Sequence, residues 1–298
     1  VGTVSGTSVS FGTEVVFNAA GTNYSKVSMD PNTANKCVVA YKDSEGSGYG
    51  AAIVGTVSGT SISFGSEALF RSATVNYVSL DYDPITANKV AIAYYDGGNS
   101  NYGTAIVGTV SGTSISFGTS VVYNSAVTYN NSIVFDPNTT GKLIVSYADG
   151  GNSSYGTAVV GTVSGTGITF GTEIVLNSGG TTQVEAAFAA TAANAGQFIT
   201  VYGDTANSAS GTAILGQIAA TAQATNLTTT NLVGITSKAI ADTATGSITL
   251  RGGVSTNQTG LTIGSTYYVQ ADGTVSTVST APAVNIGKAL NATTLKLK

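Results

Sequence analysis

The chain has 298 residues, of which 9% are charged and 42% are hydrophobic, and its formal net charge is −4. Intrinsic disorder requires low hydrophobicity together with high net charge, so this composition predicts a folded protein. The mildly acidic balance offers no basic stripe to phosphate groups, which argues against binding to nucleic acid or to an anionic membrane surface. No stretch approaches the roughly 18 consecutive apolar residues of a membrane-spanning helix, so membrane insertion is not predicted.

A seven-residue phrase, Val-Gly-Thr-Val-Ser-Gly-Thr, dominates the first three quarters of the chain. It begins at Val1, Val54, Val107 and Val160, a constant spacing of 53 residues. Such regularity indicates a tandem array of four related units. The chain begins inside the first unit without a Met, as expected of a processed or partial chain.

Each unit contains four short runs rich in Val, Ile, Phe, Tyr and Thr, separated by turn residues. In the third unit the runs are 132–135, 142–147, 155–163 and 168–176. They lack the 3.6-residue periodicity of an amphipathic helix, so the chain is predicted to be all-β. Asp30, Asp83 and Asp136 each precede a Pro between two runs, and we expect them to serve in turns.

Four antiparallel strands in a unit of this length are typical of a β-propeller blade, because one such sheet cannot bury both faces alone. The run at residues 8–17 has a counterpart in each later unit, but none follows the last set of runs at 184–218. Residues 8–17 are therefore predicted to complete the last unit and close a ring of four blades. Four is the lowest usual number of blades, so an open array or part of a larger ring is the alternative.

The repeats occupy residues 1–224, and a small β domain is predicted over 225–298, entered through a polar connector at 225–231. Short β-type runs occur at 247–250, 266–270 and 294–297. Asp272-Gly273 lies between β-type runs, which is a hairpin signal.

The residue inventory excludes several kinds of chemistry. The chain has no His and no Trp, which rules out Ser-His and Cys-His nucleophile pairs and His-ligated metal sites. The single cysteine, Cys37, lies in an apolar run and is predicted to be buried. No phosphate-binding loop, dinucleotide fingerprint or EF-hand is present. We therefore predict no catalytic residue, no metal site and no cofactor.

One constellation does suggest binding. After the second run of each unit comes a Tyr and, two residues later, an Asp, and in the middle units an Asn and a second Tyr follow. Aromatic faces beside carboxylates and amides suit a neutral glycan, since the ring covers C–H surface and the polar groups bond to hydroxyls. The candidate residues are Tyr41, Asp43, Tyr94, Asp96, Asn99, Tyr102, Tyr147, Asp149, Asn152 and Tyr155.

Two other interpretations of this pattern are open. Each Tyr would pack between units while each Asp closes a turn with its side chain, or the Asp and Asn oxygens would hold a calcium ion. The fourth unit keeps Tyr202 and Asp204 but has lost the second Tyr, so a ligand site is expected to favour the middle units.

The C-terminal segment also carries a resemblance. Residues 252–275, which include Gly-Ser-Thr-Tyr-Tyr-Val-Gln-Ala-Asp-Gly, and the closing stretch 287–295 resemble the small β domains that end many bacteriophage tail-fibre proteins. The 53-residue repeat is similar to repeats in fibre and adhesin proteins of marine phages, including cyanophages.

This resemblance implies an extracellular virion fibre, in which the chain is a homo-oligomer, expected to be a trimer, and contacts other fibre or tail proteins. Its expected ligand is bacterial surface polysaccharide, bound through repeated loops. The alternatives are a secreted or cell-surface bacterial adhesin and, less favoured, a propeller glycosidase that works with two carboxylates.

Overall fold

The computed structural model describes residues 1–45, 47–191, 195–218, 234–236, 248–250, 252–256, 258–270, 275–277, 279 and 283–298. The chain divides into two compact bodies, the repeat body (Val1–Ile218) and the C-terminal body (Ala219–Lys298). The sequence placed this boundary six residues later, between 224 and 225, and its connector at 225–231 lies outside the described residues. The fold is nearly all-β, and every strand pairing is antiparallel. Among the described residues, no helix has the length and apolarity needed to cross a membrane.

The described residues of the repeat body form 17 strands in a regular order. The first are β1 (Gly2–Ser5), β2 (Ser8–Phe11), β3 (Thr22–Met29), β4 (Lys36–Asp43), β5 (Tyr49–Ser58), β6 (Ser61–Phe64) and β7 (Ala68–Tyr82). The middle ones are β8 (Lys89–Asp96), β9 (Tyr102–Ser111), β10 (Ser114–Phe117), β11 (Val121–Phe135) and β12 (Lys142–Asp149). The last are β13 (Tyr155–Ser164), β14 (Gly167–Phe170), β15 (Ile174–Phe188), β16 (Gln197–Asp204) and β17 (Ser210–Gln217).

The three 15-residue strands β7, β11 and β15 each belong to two consecutive sheets. In β7 the first half pairs with β5 and the second half, from Val75, pairs with β8. The same division occurs in β11 and β15. We therefore define sheet 1 as β3, β4, β5 and the first half of β7, and sheets 2 and 3 in the same way. Sheet 4 consists of the second half of β15 with β16 and β17.

The predicted runs fall on strands, with two differences. The end of the fourth run and the first run of the next unit form one continuous strand, such as β15, and the fourth run is itself divided. Run 168–176 is split into β14 and the start of β15 around Gly171, whose backbone N–H donates to the carbonyl of Val160. The first part forms a hairpin extension with β13, and the second part pairs further back along the same strand. The run is interrupted because the chain must move between these two pairings.

The core lies between consecutive sheets. Alternate residues of β8 point to opposite sides, so Val90, Ile92 and Tyr94 pack toward sheet 1 while Ala91 and Ala93 pack toward sheet 3. A middle sheet is therefore apolar on both faces, which explains why its strands have continuous hydrophobic runs rather than strict alternation. Cys37 is also buried, as predicted, and burial raises the pKa of its thiol.

The first strands of successive sheets are joined by side-chain hydrogen bonds. The backbone N–H of Ile133 donates to the hydroxyl of Ser79 at 3.0 Å, and one sheet later the N–H of Ala186 donates to Ser132 at 3.0 Å. These bonds satisfy backbone donors at the edge of each sheet, which would otherwise be open to pairing with another chain.

The turn aspartates act as predicted. One carboxylate oxygen of each accepts a hydrogen bond from the backbone N–H two residues later, at 2.8 Å for Asp30, 2.8 Å for Asp83 and 2.9 Å for Asp136. This is the geometry of an Asx turn.

The predicted closure by residues 8–17 is not found in this structure. Residues 8–11 pair with β1 as a separate hairpin, and residues 12–21 form no strand. Among the described residues, strand β17 pairs with β16 alone and ends the row of strands. In this part of the chain the last sheet therefore has a free edge, and the four sheets form an open series.

The C-terminal body has its own β core. A two-stranded sheet joins β18 (Gly234–Thr236) to β19 (Ile248–Leu250). A second sheet contains β20 (Val254–Ser255), β21 (Thr266–Gln270), β22 (Val275–Ser276), β23 (Ala283–Asn291) and β24 (Thr294–Leu297). The three predicted runs are confirmed as β19, β21 and β24. Asp272-Gly273 lies outside the described residues, although the strands on either side of it do pair.

Buried tyrosines make the repeat body sensitive to alkaline pH. Burial raises the pKa of Tyr41, Tyr94, Tyr123 and Tyr147, and for Tyr41 and Tyr147 a hydrogen bond to a glutamate adds to the effect. The folded state thus favours the neutral phenol. Its stabilising contribution is complete below pH about 10, the ordinary tyrosine pKa, and is lost as the pH rises toward the folded-state value.

We expect the melting temperature to be unaffected by these groups at neutral pH and to fall progressively above pH about 10. Thermal unfolding followed by circular dichroism at a series of pH values measures this. Titration of phenolate absorbance gives an internal control, because exposed tyrosines should ionise before unfolding and buried ones with it. Ionisation of every tyrosine in one step near pH 10, with the fold intact, would contradict the prediction.

Candidate functional site

The loop residues singled out in the sequence do not form an open binding site. Tyr41, Tyr94 and Tyr147 have no exposed surface. Alternation along the second strand points Tyr94 and Tyr147 into the core between two sheets, whereas Tyr41 lies on the outer face of sheet 1 and is covered by Phe17. Each ring packs against an aromatic ring at 5.2 Å between centroids: Phe17 for Tyr41, Phe70 for Tyr94 and Tyr123 for Tyr147. A sugar cannot stack on these rings, so the prediction that they bind glycan is wrong for these three.

The acids of the same loops are engaged in turns. Asp96 accepts from the backbone N–H of Gly98 at 3.0 Å, and Asp149 accepts from that of Gly151 at 2.9 Å. Asp43 makes the equivalent bond to the N–H of Glu45 at 3.1 Å. The alternative interpretation, a packed Tyr followed by an Asx turn, is therefore confirmed.

A second group, a side chain from elsewhere in the sequence, also bonds to each of these carboxylates. Asp96 forms an ion pair with Arg71 at 2.8 Å, and Asp149 accepts from the side-chain amide of Asn124 at 2.9 Å. The amide of Asn18 makes the matching bond to Asp43 at 3.2 Å. Residues 18, 71 and 124 are equivalent positions of the repeat, so a polar side chain at this position holds the carboxylate of each loop.

The remaining loop candidates are more accessible. Asn99, Tyr102 and Tyr155 are half-buried and Asn152 is exposed. They lie around the loop turn, on the surface, whereas the Tyr predicted to bind the same sugar, Tyr94 or Tyr147, is buried. In the described part of the chain, no group of three or more acidic or cysteine side chains is placed to hold a metal ion.

A different set of residues does converge. The first strand of each sheet, or in β7, β11 and β15 the half that starts the next sheet, carries a bulge that leaves two residues unpaired. The first of these has a left-handed backbone: Tyr24 (φ 53°), Tyr77 (φ 49°), Asn130 (φ 53°) and Gln183 (φ 51°). These four positions are spaced by 53 residues, so every sheet contributes the same backbone kink. Bulges redirect side chains and are common beside binding sites.

The four bulges line one cavity of about 330 Å³, which we call the bulge cavity. Its walls are Tyr24, Lys26, Tyr77, Val78, Asn130, Asn131, Gln183, Val184 and Glu185. Every one of the four sheets supplies at least one of these residues. The volume is at the lower end of the range of small-molecule sites, about 300 to 1,000 Å³.

Aromatic rings form one side of the bulge cavity. Tyr24 is 41% exposed and packs against Tyr77 at 5.2 Å between centroids. Tyr77 is in turn supported by Tyr129 at 5.7 Å and by Tyr95 at 6.3 Å. Burial raises the pKa of Tyr77, and the neighbouring tyrosines add to this. The ring is therefore held in place and neutral over the physiological pH range.

The polar side of the cavity has an unused acceptor. Asn131 is buried, and its amide nitrogen donates to the carbonyl of Tyr77 at 3.2 Å. Its Oδ1 is buried and makes no hydrogen bond within the described residues. A buried acceptor without a partner is costly, and a ligand hydroxyl at this position would satisfy it.

The charges of the cavity cancel. Lys26 and Glu185 occupy the same repeat position in the first and last sheets, and Ser79 and Ser132 occupy it between them. With one cation and one anion, the site carries no net charge to attract an ion.

Sequence reasoning missed this cavity because its residues carry no motif. A signal was nevertheless present. Residues 24, 77, 130 and 183 are Tyr, Tyr, Asn and Gln, so the side chain varies at a position where the surrounding repeat keeps its backbone.

No protein-family model and no curated protein matches this chain. Two solved structures of Sqt1 from Chaetomium thermophilum are similar at 14% identity, with TM-scores of 0.45 and 0.41. The matches cover 66% and 59% of this chain but 44% and 40% of those chains, so this chain spans less than half of their length.

A mutant of the Aleuria aurantia lectin in complex with alpha-methyl-L-fucoside is similar at 12% identity and a TM-score of 0.32. That match covers 65% of this chain and 78% of the lectin. These likenesses are too remote to carry an argument about function, which must come from the geometry of this chain.

Proposed function

We propose that this protein is a non-enzymatic binding module of propeller type, and that the bulge cavity binds a neutral carbohydrate. The observation that carries the proposal is the convergence of four equivalent bulges on one polar cavity that contains an exposed tyrosine ring and an unsatisfied buried amide oxygen.

The chemistry of the cavity fits a sugar. The ring of Tyr24 offers a face for C–H surface, and Asn130, Asn131 and Gln183 offer amides to hydroxyl groups. Because the charges of Lys26 and Glu185 cancel, a neutral sugar is favoured over a phosphate or a sialylated glycan. The cavity volume suits one or two sugar rings.

The propeller arrangement is part of the same proposal. Its support is that sheets 1 to 4 pack face to face while their first strands border a common cavity, as the inner strands of blades would. The free edge of β17 and the unpaired residues 12–21 favour an open set of blades or part of a larger array over a ring closed by one chain.

The biological setting that we propose is the fibre of a phage tail, where the chain would be an extracellular, oligomeric adhesive component that contacts bacterial polysaccharide. This step rests on the resemblance of residues 252–275 and 287–295 to tail-fibre domains. A bacterial adhesin is the alternative. Immunogold electron microscopy separates the two, since label on a phage tail supports the first and label on an uninfected cell supports the second.

Binding is favoured over hydrolysis by the composition of the cavity. Glu185 is the one carboxylate in its described lining, whereas most glycosidases use a pair. Release of reducing sugar from host polysaccharide by the pure protein would contradict a binding role.

The direct test is an array of neutral oligosaccharides, followed by calorimetry on any that bind, with the wild type and two variants. Tyr24→Ala removes an exposed ring, so we expect the fold to persist and the affinity to fall about five- to tenfold, or about 1–1.4 kcal/mol. Tyr155→Ala, at the start of β13 beside the loop, is the matched control and should leave affinity unchanged. Loss of affinity in Tyr155→Ala with none in Tyr24→Ala would move the site to the loops.

A further inference from the structure

The two ends of the sheet series carry apolar side chains that are exposed in this chain. On sheet 4, Ile199 and Leu215 are 49% and 64% exposed, whereas their counterparts on sheet 2, Ala91 and Val107, are completely buried against sheet 3. We call this surface the trailing face; Val201 also belongs to it. A monomer gains nothing by exposing branched side chains at positions where the inner repeats bury smaller or equal ones.

Sheet 1 shows the opposite surface, which we call the leading face. Val27 and Met29 of β3 are 63% and 54% exposed. Their counterparts on sheet 2, Leu80 and Tyr82, are buried against sheet 1. At each inner junction, therefore, a trailing face is covered by the leading face of the following sheet.

The free edge of β17 matches the N-terminal segment in register. Strand β17 corresponds to Tyr49–Thr56 of β5, and β1 corresponds to the end of the same strand, from Gly55. Residues 13–21 correspond to the part of the chain that enters β7 and pairs with β5. A cavity of about 480 Å³ lies over sheet 4 and is bordered by Val201 of the trailing face and by Gly211 and Ala213 of β17.

Two polar pairs repeat in the same way. The hydroxyl of Tyr41 donates to Glu67, and that of Tyr147 donates to Glu173 at 2.8 Å. By the repeat spacing, the counterpart of these acids for Tyr202 is Glu14. Likewise Ser132 accepts from the N–H of Ala186, and the next such pair along the series would be Glu185 with the N–H of Val27.

We propose that the trailing face of one chain binds the leading face of a second copy, head to tail, so that the N-terminal segment of the second copy supplies the missing strand beside β17. The occupant is a second copy because the same chain exposes apolar side chains on both faces and carries both members of each polar pair. The contact continues the interface that already joins sheets 1, 2, 3 and 4. It is heterologous, so it produces a closed ring of copies or a filament.

The test uses the full chain in two complementary variants, Val27→Glu on the leading face and Leu215→Glu on the trailing face. Both residues are exposed, so each variant is expected to fold as the wild type does, and circular dichroism checks this. Wild-type protein should show mass above the monomer in analytical ultracentrifugation, increasing with concentration. Each variant alone should associate at least about tenfold more weakly, because a carboxylate would be buried against an apolar face.

Mixing the two variants is the decisive measurement. Each retains the face that the other has lost, so an equimolar mixture should form a 1:1 dimer and nothing larger. Ile263→Glu, which is equally exposed but lies in the C-terminal body, is the control and should associate as the wild type does. A wild type that stays monomeric at all concentrations, or single variants that still self-associate as the wild type does, would overturn the inference. This result is independent of glycan binding, which the array measures separately.

Discussion

Gly118→Ala is expected to be one of the most destabilising single substitutions in the repeat body, although it adds only a methyl group. Gly118 follows β10, and a Cβ there would lie 2.0 Å from the carbonyl oxygen of Thr166 and 3.0 Å from its carbonyl carbon. Both atoms are backbone, in the turn between β13 and β14, so no side-chain rotation relieves the clash. A Cβ added at Gly65 would likewise lie 1.9 Å from the carbonyl oxygen of Thr113, so this close approach is a regular feature of the junction between repeats.

We expect a loss of about 1–3 kcal/mol or more, as for overpacking at a site that cannot relax. Gly171→Ala is a matched control at the equivalent position of the next repeat, where the nearest atom to the new Cβ is the carbonyl oxygen of Val160 at an unstrained 3.8 Å. It should be neutral or slightly stabilising, because alanine restricts the unfolded chain. Thermal unfolding measured by circular dichroism compares the two. Equal melting temperatures would show that the hairpins do not stack as described.

Tyr147→Ala has the second large expected effect. The ring of Tyr147 is fully buried between sheets, lies 5.2 Å from the ring of Tyr123 and donates its hydroxyl to Glu173 at 2.8 Å. Its removal leaves a cavity in a core shared by two sheets, at a cost of about 3–5 kcal/mol. Tyr147→Phe keeps the ring and loses the hydrogen bond alone, which should cost about 1 kcal/mol.

Denaturant unfolding followed by tyrosine fluorescence measures both variants, with Tyr155→Ala as a half-buried control from the adjacent strand that should lose less. The experiment also decides between a packing role and a ligand role for this ring. A Tyr147→Ala protein that keeps its unfolding midpoint but no longer binds glycan would return Tyr147 to the binding site and contradict its placement in the core.

The strands were predicted well from the sequence because the same apolar runs and turn residues recur in each repeat. Runs of Val, Ile and Tyr at a constant spacing located nearly every strand, and Asp30, Asp83 and Asp136 were correctly assigned to turns. The split of the fourth run around Gly171 was not predictable from composition, since it depends on which partner strand the chain meets on each side of the glycine.

The candidate site was predicted less well, for a reason that Tyr94 illustrates. A tyrosine two residues before an aspartate near a loop looks accessible in a linear sequence. The alternation of β8 turns the tyrosine into the core, and Arg71, distant in sequence, holds the aspartate. Local spacing could not show either contact. The bulge cavity was missed because it requires four residues 53 positions apart to be brought to one place.

The predicted ring closure shows a third kind of limit. The phase of the repeat predicts that residues 8–17 match the strand position after β17, and the structure does not pair them there within one chain. A sequence pattern specifies which surfaces are complementary, but it does not specify whether they meet within one chain or between two.

At the bulge positions the side chain can vary while the backbone conformation is kept. Tyr24, Tyr77, Asn130 and Gln183 share one backbone conformation, and their side chains border the cavity, outside the buried core between the sheets. Recombination between near-identical gene segments can therefore exchange these side chains while the buried core stays the same. The recognition surface that we propose would change in this way without a change of fold.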